Sequence, residues 1–165
     1  YTPVNVRRVH SYGIETKLTA RTAWGNGWQA LFDGNFAWTR SINRGDKFSD
    51  ADRSVGKQLV YIPVYSAAFT ARLLWRRWEL DYKWCWYSER YTMTDNDPGV
   101  LGRVKPYFMS DLSLARSFEC AWASFSLKGC IHNLLNEEYE TVLSRPMPRL
   151  NVSFFLGITP KFRKR

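Results

Sequence analysis

Long apolar runs are missing from this sequence. No stretch approaches the roughly 18 apolar residues that a membrane-spanning helix needs, so a helical membrane protein is excluded. The chain is nevertheless 45% hydrophobic, with a mean hydropathy of −0.40, so its apolar residues are dispersed rather than gathered into blocks. Cysteine is scarce: Cys85, Cys120 and Cys130 make an odd set with no C-x-x-C spacing, which gives no metal-binding signature. On one continuous strand Cys120 and Cys130 would share a face roughly 30 Å apart, too far to bond. A basic-then-apolar leader is lacking too, because the sequence starts mid-pattern at Tyr1. The expectation is a mature exported chain or a fragment.

Catalytic constellations are also absent. Asp50 and Asp52, and Asp95-Asn96-Asp97 before Pro98-Gly99, fall in loop-like stretches and read as solvated turns rather than calcium ligands. No nucleophile with its base, carboxylate pair or metal cluster is legible, so neither catalysis nor a cofactor is expected. The net charge of +9 invites a nucleic-acid reading. Yet Lys and Arg are scattered singly, apart from Arg7-Arg8, Arg76-Arg77 and the tail from Lys161 to Arg165. They form no stripe interleaved with aromatics and no recognition helix, so no nucleic-acid partner is expected. A basic surface suits the phosphate-rich outer leaflet of an outer membrane equally well.

Aromatics are what the chain has in plenty: eight Trp, nine Tyr and ten Phe. They recur at period two. Leu80, Tyr82, Trp84 and Trp86 alternate with Asp81, Lys83, Cys85 and Tyr87. Successive strand side chains point to opposite faces, so this segment has one greasy face and one polar face. The same alternation marks Ala67 to Trp75, Trp28 to Trp38, Ala121 to Ile131 and Leu150 to Ile158. Seven antiparallel strands are expected, at about 5–24, 28–42, 64–76, 79–92, 107–117, 119–132 and 148–159. Most exceed the ~5–6 residues of globular strands and reach the ~9–11 that tilted membrane-spanning strands need.

Connections alternate short and long. Turns are expected at Gly25-Asn26-Gly27, Arg76-Arg77-Trp78 and Ser117-Phe118-Glu119, and polar loops at about 43–63, 93–106 and 133–147. That rhythm belongs to outer-membrane barrels, which have short periplasmic turns and long extracellular loops. Trp24, Trp28, Trp38, Trp75, Trp78 and Tyr91 gather at strand ends, where interfacial girdles lie. The fold class is therefore all-β, an antiparallel transmembrane barrel. A spanning sheet must close, and bacterial single-chain barrels have even strand counts. Seven strands thus read as the C-terminal part of a larger barrel; one missed strand would instead make a complete eight-stranded barrel.

Several local signatures then resemble the C-terminal barrel region of TonB-dependent receptors. Ser11-Tyr12-Gly13-Ile14-Glu15 is similar to that family's S-x-G-h-E strand, where h is apolar, and Asn35 to Thr39 is similar to its next strand. Gly56-Lys57-Gln58-Leu59 with Ile62-Pro63, and Pro106-Tyr107 with Asp111 to Leu114, follow in the family's order. Asn133-Leu134-Leu135-Asn136-Glu137-Glu138-Tyr139 resembles N-l-f-N-x-x-Y, and Pro146-Met147-Pro148-Arg149 opens the last strand without the usual glycine. The family commonly ends on an aromatic, whereas Phe162 here is followed by Arg163-Lys164-Arg165.

The resemblance implies an outer-membrane receptor of a Gram-negative bacterium that takes up a scarce nutrient: a ferric siderophore, haem, cobalamin or a glycan. Its implied partners are lipid and lipopolysaccharide, the remaining barrel strands, the small ligand, and TonB through an N-terminal plug absent from this chain. Ligand contacts are expected from polar-face residues near the outer rim: Arg7, Tyr87, Glu89, Tyr91, Tyr107, Met109 and Arg149. Arg44, Asp46 and Lys47 would add contacts from the first long loop. His10 and His132 are weak evidence for haem, because His10 falls on the lipid-side parity. A passive porin and a soluble basic β module binding polyanions are the remaining alternatives.

Overall fold

The computed structural model describes residues 8–161. It contains β1 (Val9–Trp24), β2 (Trp28–Asn43), β3 (Tyr65–Trp75), β4 (Trp78–Tyr87), β5 (Arg90–Tyr91) and β6 (Arg103–Val104). There follow β7 (Tyr107–Glu119), β8 (Ala123–His132), β9 (Glu140–Val142), β10 (Arg145–Pro146) and β11 (Asn151–Pro160). The long strands form one seven-stranded antiparallel sheet in the order β1-β2-β3-β4-β7-β8-β11, as the alternation implies. Among the described residues β1 and β11 do not pair with each other, so the sheet is open. The short strands β5–β6 and β9–β10 form two small hairpins in the long connections.

Register carries the two-faced pattern across the whole sheet. Ala20, Phe32, Ala71, Tyr82, Leu112 and Ile131 lie on one cross-strand row, and Val152 continues it on β11. Paired residues share a face, so every strand places its apolar parity on the same side. The opposite side carries Asp33, Arg72, Asp81, Lys83, Asp111 and Lys128. Among the residues of the seven long strands that are described, only Arg40 and Arg116 put an arginine, lysine or carboxylate on the apolar side, and they stand near opposite ends of the sheet. The apolar side is left open: Leu18 is 71% exposed and Phe154 83%. Side chains this greasy and this accessible need a non-aqueous neighbour.

The turns are built from a few special residues. Asn26 and Gly27 both take positive φ, which closes Trp24 onto Trp28. The next turn has only two residues, Arg76 and Arg77, because Trp78 already pairs with Trp75 inside the sheet. The third turn falls later than the sequence suggests. Phe118 pairs with Phe125 and Glu119 with Ser124, so the strands run on and the chain reverses at Cys120-Ala121-Trp122. Pairing of two apolar-face phenylalanines outweighs the polar Ser117 and Glu119 that suggested an earlier reversal. Cys120 therefore sits in this turn, not on one continuous strand with Cys130. All three cysteines are free.

A second correction concerns the strand expected to run to 92. It stops at Tyr87, the chain kinks through Ser88 and Glu89, and Arg90–Tyr91 pairs with Arg103–Val104 instead. The Ser88 hydroxyl accepts the Tyr65 amide, and the Ser88 amide donates to the Tyr65 carbonyl, capping the β3–β4 ladder there. Tyr91 thus belongs to a loop hairpin and not to the wall.

Candidate binding cleft at the loop end of the sheet

The three long connections all leave the same end of the sheet, and side chains tie them together. The first loop folds back on β2: Ile42 bridges Gln58, whose buried side-chain carbonyl accepts the Ser41 amide at 3.0 Å. Asn96 of the second loop, held at φ 57, docks onto the backbone of Gln58. Its amide oxygen accepts the Gln58 N–H and its amide nitrogen donates to the Gln58 carbonyl, each at 2.8 Å. An asparagine side chain here mimics a backbone pair in register. The Tyr61 amide adds a bond to the Tyr91 carbonyl at 2.8 Å.

The third loop is organised by the two asparagines of Asn133 to Tyr139. Asn133 is 4% exposed at φ 51 and bonds both the amide and the carbonyl of Glu137 at 2.8 Å. Its own amide donates to Asp111 at 3.0 Å. Asn136, at φ 55, accepts from the Arg149 side chain and the Leu150 amide. Asparagine suits both places because it tolerates left-handed backbone and satisfies local polar groups.

Between the second and third loops lies a cleft of about 830 Å³, within the ~300–1,000 Å³ typical of small-molecule sites. Its floor is aromatic. Tyr107 lies opposite Tyr87 on the polar face, with ring centroids 5.4 Å apart, and stacks on Tyr139 at 4.7 Å. Arg90 lies beneath, 8% exposed, its guanidinium 5.0 Å from the Tyr107 ring. One of its terminal nitrogens donates to the Glu140 carbonyl at 3.1 Å, while its enclosed Nε has no partner among the described residues. Burial first, and the Asp111 charge second, push the Tyr139 hydroxyl above the usual phenol range. The rim carries the Glu89–Arg103 pair at 2.9 Å and the Glu138–Arg149 pair. Val100 and Leu101 add apolar edges, 87% and 64% exposed.

Of the residues expected from sequence, Glu89, Tyr107 and Arg149 line this cleft. Tyr87 touches its floor through Tyr107. Met109 faces the same side one step deeper, opposite Cys85. Tyr91 belongs to the β5–β6 hairpin, and Arg44, Asp46 and Lys47 sit in the first loop, none of them lining the cleft. Arg7 falls outside the described residues. Sequence reasoning missed Tyr139, Arg103, Lys105, Leu143 and Met147, which also line it. Tyr139 had a signal: it closes the asparagine motif.

A smaller hollow of about 390 Å³ lies on the polar face among Asp81, Lys83, Asp111, Lys128 and His132. Arg72 pairs with Asp81 at 2.6 Å there. His132 reaches Ser153 at 2.9 Å and Asp111 at 3.4 Å. His10 is on the opposite face beside Tyr12, so the two histidines cannot ligate one group. Asp52 accepts the Ser54 and Phe48 amides, and Asp95 and Asp97 accept the amides of Asp97 and Gly99. These carboxylates are occupied as turn acceptors.

The family described as "TonB dependent receptor-like, beta-barrel" matches residues 1–134. The chain belongs to that family. Its seven-stranded sheet is therefore part of a TonB-dependent receptor barrel, and receptors of this kind sit in the outer membrane of Gram-negative bacteria. Among solved structures, the chain is similar to BauA, the ferric preacinetobactin receptor from Acinetobacter baumannii, at a TM-score of 0.59 and 14% identity. The likeness covers 93% of this chain and 27% of that one. At this identity it speaks for the shared barrel fold alone. No curated protein sequence matches the chain.

Proposed function

We propose that this chain is the C-terminal part of an outer-membrane receptor that binds a scarce, bulky nutrient and imports it with TonB-transmitted energy. The chain supplies barrel wall and extracellular loops and is not an enzyme; energy coupling belongs to a plug segment outside it. The apolar side of the sheet faces lipid, the polar side faces the lumen, and the loop end faces outward. One observation carries the reading: a cleft with a stacked-tyrosine floor sits where three braced loops leave a two-faced, membrane-length sheet.

The chemistry of the cleft suits a ligand with a flat ring, aromatic or sugar, bearing polar groups. Tyr139 offers the outer face of its ring, the inner one stacking on the buried Tyr107, and the positive charges of Arg103, Lys105 and Arg149 stand among the carboxylates of Glu89, Glu138 and Glu140. Ferric siderophores, haem, cobalamin and glycans remain the classes to screen.

The test is uptake by cells whose only copy of the complete protein is wild type or Tyr139→Ala, with labelled members of each class. The expected result is saturable uptake of one class, abolished by a protonophore, with apparent affinity weakened about tenfold by Tyr139→Ala, the worth of one good aromatic contact. Uptake that is non-saturable and indifferent to the protonophore would make the protein a passive pore and overturn the proposal.

A further inference from the structure

Arginine is unusual on a lipid-facing surface, and here its placement is specific. Arg116 lies on the apolar side of β7, on the row that also holds Trp24, Trp28, Trp75 and Trp78. Its guanidinium sits 4.6 Å from the Trp78 ring and 4.7 Å from the Phe118 ring. Next to it is the two-residue turn of Arg76 and Arg77, where Arg76 lies 5.0 Å over the Trp75 ring. The Ser117 amide donates to the Arg77 carbonyl at 3.1 Å, fixing this turn beside Arg116. Among the described residues none of the three arginines has a carboxylate partner, whereas Arg72 nearby on the polar side has two. Arg76 also holds a left-handed φ of 54, a place where glycine or asparagine costs less.

The row has a definite height. Trp28 and Trp38 share a face ten residues apart, as do Tyr65 and Trp75. Ten steps of ~3.4 Å along strands tilted by ~40° span about 26 Å, the height of an outer-membrane apolar band. The Trp24–Trp78 row therefore marks one edge of that band, on the side of the short turns, which is the periplasmic leaflet. That leaflet is made of glycerophospholipids, whose phosphodiesters lie at the level of interfacial tryptophans.

We propose that Arg76, Arg77 and Arg116 form a binding site for the phosphate of a periplasmic-leaflet glycerophospholipid, its acyl chains lying against the tryptophan row. The proposal rests on the membrane reading above but not on the transported ligand. Guanidinium groups recognise phosphate oxygens bidentately, and stacking on Trp78 and Phe118 holds the Arg116 fork in place before lipid arrives. Anionic headgroups such as phosphatidylglycerol are favoured, because the adjacent Arg76 and Arg77 and the neighbouring Arg116 concentrate positive charge that no carboxylate among the described residues pairs.

The experiment is native mass spectrometry of the complete protein purified from membranes. The wild type, Arg116→Gln and Arg76→Gln/Arg77→Gln are titrated with palmitoyl-oleoyl phosphatidylglycerol, with diacylglycerol, and with free glycerol phosphate as competitor. The expected result is retained phosphatidylglycerol, weakened roughly fivefold per arginine removed. Diacylglycerol should not be retained, and glycerol phosphate should not displace the lipid. Equal retention by all variants overturns the site; displacement by glycerol phosphate makes it a free-phosphate site and overturns the lipid assignment. Heat-shifted gel mobility reports whether each variant still forms a barrel. Should a variant fail there, photoactivatable phosphatidylglycerol on the wild type decides: labelling concentrated in residues 75–78 and 113–118 supports the site, and evenly scattered labelling refutes it. Protein missing from the membrane fraction would instead refute the receptor reading. Lipid retention with uncoupled uptake would leave this site standing.

Discussion

Removing the Asn133 side chain should unfasten the third loop without unfolding the sheet. Three bonds are at stake: two to the Glu137 backbone at 2.8 Å and a longer one to the Pro148 carbonyl at 3.4 Å. At about 1 kcal/mol for each short bond, Asn133→Ala, which keeps the Cβ that asparagine already holds at φ 51, should lower the free energy of loop opening by about 2 kcal/mol. Asn133→Gly loses the same bonds but sheds that Cβ, which returns about 1 kcal/mol. The reporter is the Met147 amide, which donates to the Tyr139 carbonyl at 3.0 Å and is not itself altered. Its hydrogen exchange in the complete protein should accelerate roughly 30-fold in the alanine variant and roughly fivefold in the glycine variant. Unchanged exchange in both would show that Asn133 does not hold the loop. Equal acceleration in both would remove the backbone argument.

Three further outcomes are expected. Gly13→Ala should impair barrel assembly, seen as loss of heat-shifted gel mobility, because a Cβ there runs into the Trp38 carbonyl oxygen; Gly34→Ala, whose Cβ meets only the Ala68 carbonyl at 3.9 Å, should assemble normally. The Asp52 carboxyl is held below the usual carboxylate range, first by the Ser54 hydroxyl, then by the Ser54 and Phe48 amides. A lowered value means the turn's stability is present above the ordinary carboxylate pKa and lost as pH falls through the lowered one. Pepsin cleavage of residues 48–54 should therefore begin in the wild type only at a pH below the ordinary carboxylate range, and in Asp52→Ala throughout the acidic range in which pepsin acts. Finally, Asn96→Ala should raise hydrogen exchange at Gln58 in the first loop as well as in the second, since both bonds of that clasp cross between them; exchange confined to the second loop would refute the brace.

The wall was legible in the sequence because its physics is local. Parity along each strand sorts the apolar side of the sheet from its polar side, and Asn26-Gly27 marks a turn by itself. The break after Tyr87 was not legible, because Arg90 and Tyr91 continue the alternation while their partners, Arg103 and Val104, lie in a distant loop. The third turn was misplaced because Phe118 reads as a turn residue until Phe125 is seen opposite it. The cleft was half legible: Glu89, Tyr107 and Arg149 lie near strand ends, where position alone brings them to the rim. Tyr139 and Arg103 reach it through loop folding, which period-two reasoning does not address. The first loop, with Arg44, Asp46 and Lys47, is charged enough to attract attention but folds back on β2 instead.

The seven long strands run in unbroken register, with no bulge between any neighbouring pair. Such a wall can change length only in a restricted way. One residue inserted in a strand would turn the rest of it inside out, carrying its phenylalanines to the polar side of the sheet and its charges to the apolar side, unless a bulge absorbed it. Two residues keep every side chain on its proper side but raise the wall by about 5 Å, lifting one aromatic edge out of its leaflet. Viable length changes are thereby driven out of the strands and into the three long loops, so length variation between descendants of this chain should pile up at the loop end of the sheet.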